Sequence, residues 1–138
     1  MKTEKSCGAV VFTREKGYIE YLIIQSKEGF YGFPKGHMEG LETEKETALR
    51  EVLEETGVNV ELMEGFRTED MYKFERNGEA RLKHVVYFLA EYSCQRPRAQ
   101  AEELKSLRLT DFETAIAMFQ FENLKRILRE ANEFLNNI

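Results

Sequence analysis

Residues Gly36–Val58 read GHMEGLETEKETALREVLEETGV, and the fold turns on how this stretch is read. Thr43 followed by Glu46 is a capping box: the hydroxyl can satisfy one orphan amide of a helix start and the glutamate can answer from the first turn. Gly57 suits the left-handed position just past a helix end. The spacing therefore predicts a helix from Thr43 to Gly57. At about 100° per residue, Ala48, Leu49, Val52, Leu53 and Thr56 gather on one side, and Glu51, Glu54 and Glu55 share an arc on the other. Glu54 and Glu55 stand in the last turn, where the helix dipole disfavours carboxylates, and Glu51 adds a like charge. A helix chosen only for stability would not carry this acidic blade. Oxygen donors so arranged suit a hard divalent cation such as Mg²⁺ or Mn²⁺, which neutralises phosphate and activates water.

Outward from this helix, Cys7–Thr13 and Tyr18–Gln25 are short β-branched and aromatic runs that read as strands. Gly29–Gly36 (GFYGFPKG) is rich in Gly and Pro and reads as a loop leading to the helix. Val58–Phe66, Met71–Arg76 and Arg81–Tyr92 read as further strands, the last two joined by the turn pair Asn77-Gly78. The signal weakens over Arg96–Leu109. A second capping box, Thr110 with Glu113, opens helical text to Phe119, and Phe121–Ile138 continues it. This order predicts an α/β fold, a mixed sheet covered by helices.

The chain has 138 residues, the size of one domain, and no Ser/Gly-rich linker or repeat divides it, so 1–138 is expected to be a single domain. With 42% hydrophobic residues, including 10 Phe and 6 Tyr, it can build a core. Its net charge of −5 argues against strong nucleic-acid or anionic-membrane binding, and no stretch approaches a membrane span. Cys7 and Cys94 stand far apart with no metal-ligand spacing, which fits a reducing cytoplasm.

The stretch also fits the Nudix box, G-x5-E-x7-R-E-U-x-E-E-x-G-U with U aliphatic, at Gly36, Glu42, Arg50, Glu51, Val52, Glu54, Glu55, Gly57 and Val58. Seven of these are single-residue identities; at typical residue frequencies a chance match at one register is on the order of 10⁻⁸. The chain thus resembles the Nudix hydrolases, which implies a Nudix-type α/β/α sandwich with a mixed β-sheet and hydrolysis of a phosphoanhydride in nucleoside diphosphates linked to another group. The resemblance implies that Glu51, Glu54 and Glu55 ligate metal, that Gly36 lends its carbonyl, and that Arg50 orients the glutamates, with Glu42 as its structural partner.

Further segments, SCGAVVF, IEYLIIQSKEG, FPKGHME, EGFRTEDMY, KHVVYFLAEY and LKRILREANEFL, make the chain similar to the asymmetrical diadenosine tetraphosphate hydrolases. That similarity implies cleavage of diadenosine tetraphosphate to ATP and AMP. It matches Lys35 and Lys83 to lysines that meet the polyphosphate and Tyr72 and Phe134 to aromatics that hold an adenine. Tyr87, on the strand face of Lys83, and His37, at the mouth of the site, are further phosphate candidates, while His84 points to the opposite face. Glu103 is aligned with a loop carboxylate that binds metal or takes a proton from water, with Glu102 adjacent. Two departures are visible: Glu39-Gly40-Leu41-Glu42 moves a glycine and lacks a proline usual in the subfamily, and no Trp precedes Pro34, where Tyr31 stands nearest. Rival readings are a Nudix pyrophosphohydrolase acting on RNA 5′ ends, nucleoside triphosphates or nucleotide sugars, and a non-catalytic nucleotide sensor. No motif speaks to oligomeric state.

Overall fold

The computed structural model describes residues 1–138. Strand β1 (Lys2–Thr13) is followed by β2 (Glu20–Ser26), β3 (Tyr31–Gly32), β4 (Lys35–His37), α1 (Glu44–Thr56), β5 (Glu61–Leu62), β6 (Thr68–Arg76), β7 (Glu79–Glu91), β8 (Leu104–Thr110), α2 (Phe112–Met118) and α3 (Glu122–Asn136). The sheet is mixed: β1 runs parallel to β7 from Lys2↔Arg81 to Phe12↔Glu91, while β2, β4, β6 and β8 pair antiparallel with their neighbours.

Both faces of this sheet are covered, so its central strands are apolar on both sides. On one face Val10, Phe12, Tyr21, Ile23, Val85, Tyr87 and Leu89 pack with Ala115 and Phe119 near α2 and with Ile127, Leu128, Ala131 and Leu135 of α3. On the other, Cys7, Ala9, Val11, Leu22, Val86 and Phe88 pack with Ala48 and Val52 of α1. The alternation along β1 and β7 thus builds the expected sandwich. α1 starts and stops as its local chemistry requires: Thr43 accepts from the Glu46 amide at 3.1 Å, Glu46 returns the bond to the Thr43 amide at 2.8 Å, and Gly57 takes φ +75°.

Several boundaries differ from the expectation, each through a partner distant in sequence. β1 begins at Lys2 because its polar start pairs with the polar start of β7. The Gly29–Gly36 segment contains β3 and the start of β4, paired with β2 and β1. Only Glu61–Leu62 of Val58–Phe66 is strand, since Gly65 turns at φ +91°. The unassigned Arg96–Leu109 region supplies β8, which pairs with β2. α2 is capped by Asp111, whose Oδ1 accepts from the Thr114 amide at 2.8 Å; Thr110 ends β8 and its hydroxyl donates to the Asp111 carbonyl.

The faces of α1 also need correction. Leu49 and Leu53 are 39% and 43% exposed, and the buried residues are Thr47, Ala48, Glu51, Val52, Glu55 and Thr56. Two of the three blade glutamates therefore point into the protein. No helix is long and apolar enough to cross a membrane.

Candidate active site

Arg50 organises the first part of the site. Its Nε and Nη2 donate to the two Glu42 carboxylate oxygens at 2.6 and 3.0 Å, a bidentate pair that holds Glu42 down at about 2. Its Nη1 donates to Glu51 at 2.7 Å and Glu54 at 3.1 Å, and Nη2 also reaches the His37 carbonyl at 2.9 Å. One guanidinium thus joins the loop before α1 to two glutamates of α1. Because it draws Glu51 and Glu54 to itself, the acidic side chains do not converge on a single point.

Glu55 lies deeper, 7% exposed, and accepts the Lys35 backbone amide at 3.2 Å. Burial pushes its carboxyl up to about 8, with repulsion from Glu51 and Glu103 adding to the effect. Burial raises Glu51 as well, against the pull of Arg50. Buried Glu55, with no side-chain cation bonded to it, and Glu51 and Glu54, which share the one guanidinium of Arg50, fit a divalent cation by the chemistry of the donor set. Gly36 lies against this pair: a β-carbon there would fall 2.2 and 2.3 Å from the Glu51 carboxylate oxygens. Only glycine lets β4 approach Glu51 so closely.

Glu55 faces a cavity of about 710 Å³, also lined by Lys35, Glu103, Tyr87, Tyr72 and Phe121. Glu103 and not Glu102 lines it. Tyr87 is 1% exposed and packs edge-on against Phe33 at 5.5 Å; burial holds its phenol protonated, well above the ordinary range. Lys83 sits outside this cavity, beside Tyr72 across the β6–β7 register, 7% exposed and lowered to about 8 by burial and by nearby Lys35. Its Nζ is 2.8 Å from His37 Nε2. His84, on the opposite face, pairs with Glu69.

Phe134 is not with Tyr72. It packs against Phe66 at 5.6 Å and borders a separate, shallower depression with Gly65. The cavity meets the start of α3, at Phe121, Asn123 and Leu124, and Phe134 lies roughly 20 Å further along that helix at 1.5 Å per residue. In its place the structure brings Phe121 to the cavity that Tyr72 lines. Phe30 and Phe121 touch at 5.1 Å, and Phe30, Tyr72 and Phe121 are each 40–48% exposed at its rim. Phe121 stands at the N-cap of α3 with no capping hydrogen bond, a position where helices favour Ser, Thr, Asp or Asn. That misplacement was the available signal. Asp70, buried in the cavity wall and bonded by the Asn123 amide at 2.8 Å, was also missed.

Comparison with known proteins bears on this geometry. The chain is 33% identical to a mouse bis(5′-nucleosyl)-tetraphosphatase (asymmetrical) over 95% of both chains, and 27% identical to a Caenorhabditis elegans protein of the same name over 95% and 96%. A C. elegans Ap4A hydrolase solved as a binary complex superposes with a TM-score of 0.86 at 26% identity, covering 98% of this chain and 99% of that one. The NUDIX domain model matches residues 2–131. With its box folded as a capped helix that turns Glu55 toward a large cavity, the chain belongs to the NUDIX domain family.

Proposed function

We propose that the protein is a divalent-metal-dependent hydrolase that cleaves dinucleoside polyphosphates at a phosphoanhydride, diadenosine tetraphosphate first among them, giving ATP and AMP. The observation that carries the reading is the meeting of Glu55 and Glu103 with Lys35, Tyr72 and Phe121 around one cavity, where acid suits the metal, cation the phosphates and aromatic platform the base of a metal-bound nucleotide. The names of the relatives and of the structural neighbour support the same substrate class.

In this reading Glu51, Glu54, Glu55 and the Gly36 carbonyl would hold Mg²⁺ or Mn²⁺, which supplies Lewis acidity toward phosphate and water. Arg50 fixes Glu51 and Glu54 through directed hydrogen bonds. Glu103 takes the proton from the attacking water. Lys35 and Lys83 meet the phosphates, with His37 beside Lys83, while Tyr72 and Phe121 offer faces to a base. The protein is placed in the cytoplasm as one domain over 1–138, with a small nucleotide as its partner. A non-catalytic sensor would have no use for the intact Glu51, Glu54 and Glu55.

The test is product analysis with diadenosine tetraphosphate and Mg²⁺ in ¹⁸O-labelled water. ATP and AMP are expected in equal amounts, with label only in AMP. Two ADP as the main product would defeat the asymmetrical assignment. Higher kcat/KM on triphosphorylated RNA, nucleoside triphosphates or nucleotide sugars would move the substrate within the family.

A further inference from the structure

Beyond the cavity, the same sheet face continues into a cluster that shares Lys83 and His37 with the phosphate contacts proposed above but adds Glu4, Arg76 and Arg81, which that chemistry does not use. Glu4 of β1 is the register partner of Lys83 on β7, and Tyr72 of β6 is the register partner of Lys83 from the other side. Around the Glu4 carboxylate stand Arg76 Nη1 at 2.5 Å, Arg81 Nη1 at 3.2 Å and Lys83 Nζ at 3.8 Å; with Glu79 Oε2 at 4.0 Å from Arg81 Nη2, three cations face two carboxylates. With Lys83 donating to His37 Nε2, the histidine offers no proton to Glu4 Oε1, 3.3 Å away.

The cluster is poorly matched to itself. Four buried side-chain polar atoms in the whole molecule lack a hydrogen-bond partner, and three belong here: Glu4 Oε1, Arg81 Nε and Ser6 Oγ. Ser6 is fully buried and is the register partner of His37. An ion pair built only to fasten strands would satisfy its own donors, because buried unpaired groups are costly. Surplus positive charge, a free guanidinium N–H and a free hydroxyl instead describe a receptor for an anion richer in charge and acceptors than a carboxylate. Phosphate has those properties and matches the planar fork of arginine.

We infer that this cluster is a second anion subsite, in which Arg76, Arg81 and Lys83 take a phosphate from the far nucleotide of the substrate in place of the Glu4 carboxylate. The identity of that anion rests on the dinucleoside polyphosphate reading above. Glu4 is then a resident competitor that keeps the subsite ordered when substrate is absent.

The experiment is calorimetric titration of the full chain with tripolyphosphate in EDTA, where no turnover occurs. Arg76→Gln and Arg81→Gln should each weaken binding about tenfold, the scale of one charge-assisted hydrogen bond. Glu4→Gln should tighten it several-fold, because the competitor is removed. Arg14→Gln, at the far end of β1 and roughly 33 Å away at 3.3 Å per residue, serves as the control and should stay within twofold. Arg76 has a half-exposed side chain, so its variant decides the matter even if Arg81→Gln fails to fold. Affinities within twofold of wild type for Arg76→Gln, or weaker binding by Glu4→Gln, would overturn the subsite. If tripolyphosphate binding falls with Arg76 while diadenosine tetraphosphate is not cleaved, the subsite stands and the substrate reading fails. If diadenosine tetraphosphate is cleaved with KM and tripolyphosphate affinity unmoved in Arg76→Gln, the subsite fails and the hydrolase reading stands.

Discussion

A β-carbon built on Gly36 would lie 2.1 Å from the carboxyl carbon of Glu51, so strand β4 and helix α1 meet at a point that admits hydrogen alone. The backbone of Gly36 is held by its pairing with Cys7, and Glu51 by Arg50, so neither side yields easily. Gly36→Ala should therefore displace Glu51 and cost about 1–3 kcal/mol of stability, the range for overpacking a well-filled site. Hydrolysis should fall at least tenfold. Thermal melts and steady-state rates check both, and an alanine variant of wild-type activity would show that Glu51 has room to move.

Arg50 makes its contacts as a fork, and a lysine cannot reproduce them. Arg50→Lys keeps the charge but gives up the bidentate grip on Glu42 and at least one of the bonds to Glu51 and Glu54. A loss of roughly 10–100-fold in metal affinity or activity is expected, the usual effect of removing a group that orients ligands. Glu42→Gln should act in the same direction by loosening Arg50. If Arg50→Lys bound Mn²⁺ as tightly as wild type, charge and not geometry would be what Arg50 provides.

Glu55 titrates unusually, and the sign can be worked out. Its folded pKa, about 8, lies above the ordinary 4.5, so the fold favours the neutral acid. Stability from this group is fully present below the unfolded value and is lost as pH rises through about 8. In metal-free protein, Glu55→Gln should thus melt progressively higher than wild type between pH 5 and 8. Lys83, lowered to about 8, contributes with the opposite sign above that pH, and the difference between variant and wild type cancels it. Cation binding at pH 7 should release about one proton, measurable by calorimetry in buffers of different ionisation enthalpy. A pH-independent melting difference would mean that Glu55 is ionised in the metal-free fold.

Both the Glu102 and Glu103 amides donate to Gln100 Oε1, but only Glu103 lines the cavity with Glu55 and adds repulsion to both Glu51 and Glu55. Glu103→Gln should lower kcat by roughly 10²-fold with little change in KM, and Glu102→Gln should do neither. A kcat loss confined to Glu102→Gln would reverse the two.

How much was legible follows from how local each feature is. Helix α1 was readable because Thr43, Glu46 and Gly57 determine its ends within the segment itself. β8 was not, because LKSLRLT becomes a strand through β2, about 80 residues earlier, and its Lys105 and Arg108 blur the alternation. Thr110 and Asp111 are both able to cap; only the backbone direction leaving β8 chooses Asp111. The acidic blade was seen, yet its burial was not, since helical spacing places Glu51 and Glu55 on an arc without saying that β4 and the cavity lie over it. The separation of Phe134 from Tyr72 has a similar reason: spacing along α3 locates a residue around the axis, but which end of the helix meets the cavity is a tertiary fact.

That fact yields the last prediction. If a base stacks at the cavity rim, Tyr72→Ala and Phe121→Ala should each raise KM for diadenosine tetraphosphate far more than they lower kcat, by analogy with the about 1–3 kcal/mol of a base–aromatic stack. Both residues are half-exposed, so stability should hold. Phe134→Ala should do the reverse, because its ring packs on Phe66 against the apolar face of α3 and removing it opens a gap. Its melting temperature should drop while KM stays near the wild-type value. KM measured beside thermal melts for the three variants separates the roles, and a KM rise in Phe134→Ala without one in Phe121→Ala would return the aromatic partner of Tyr72 to the far end of the helix.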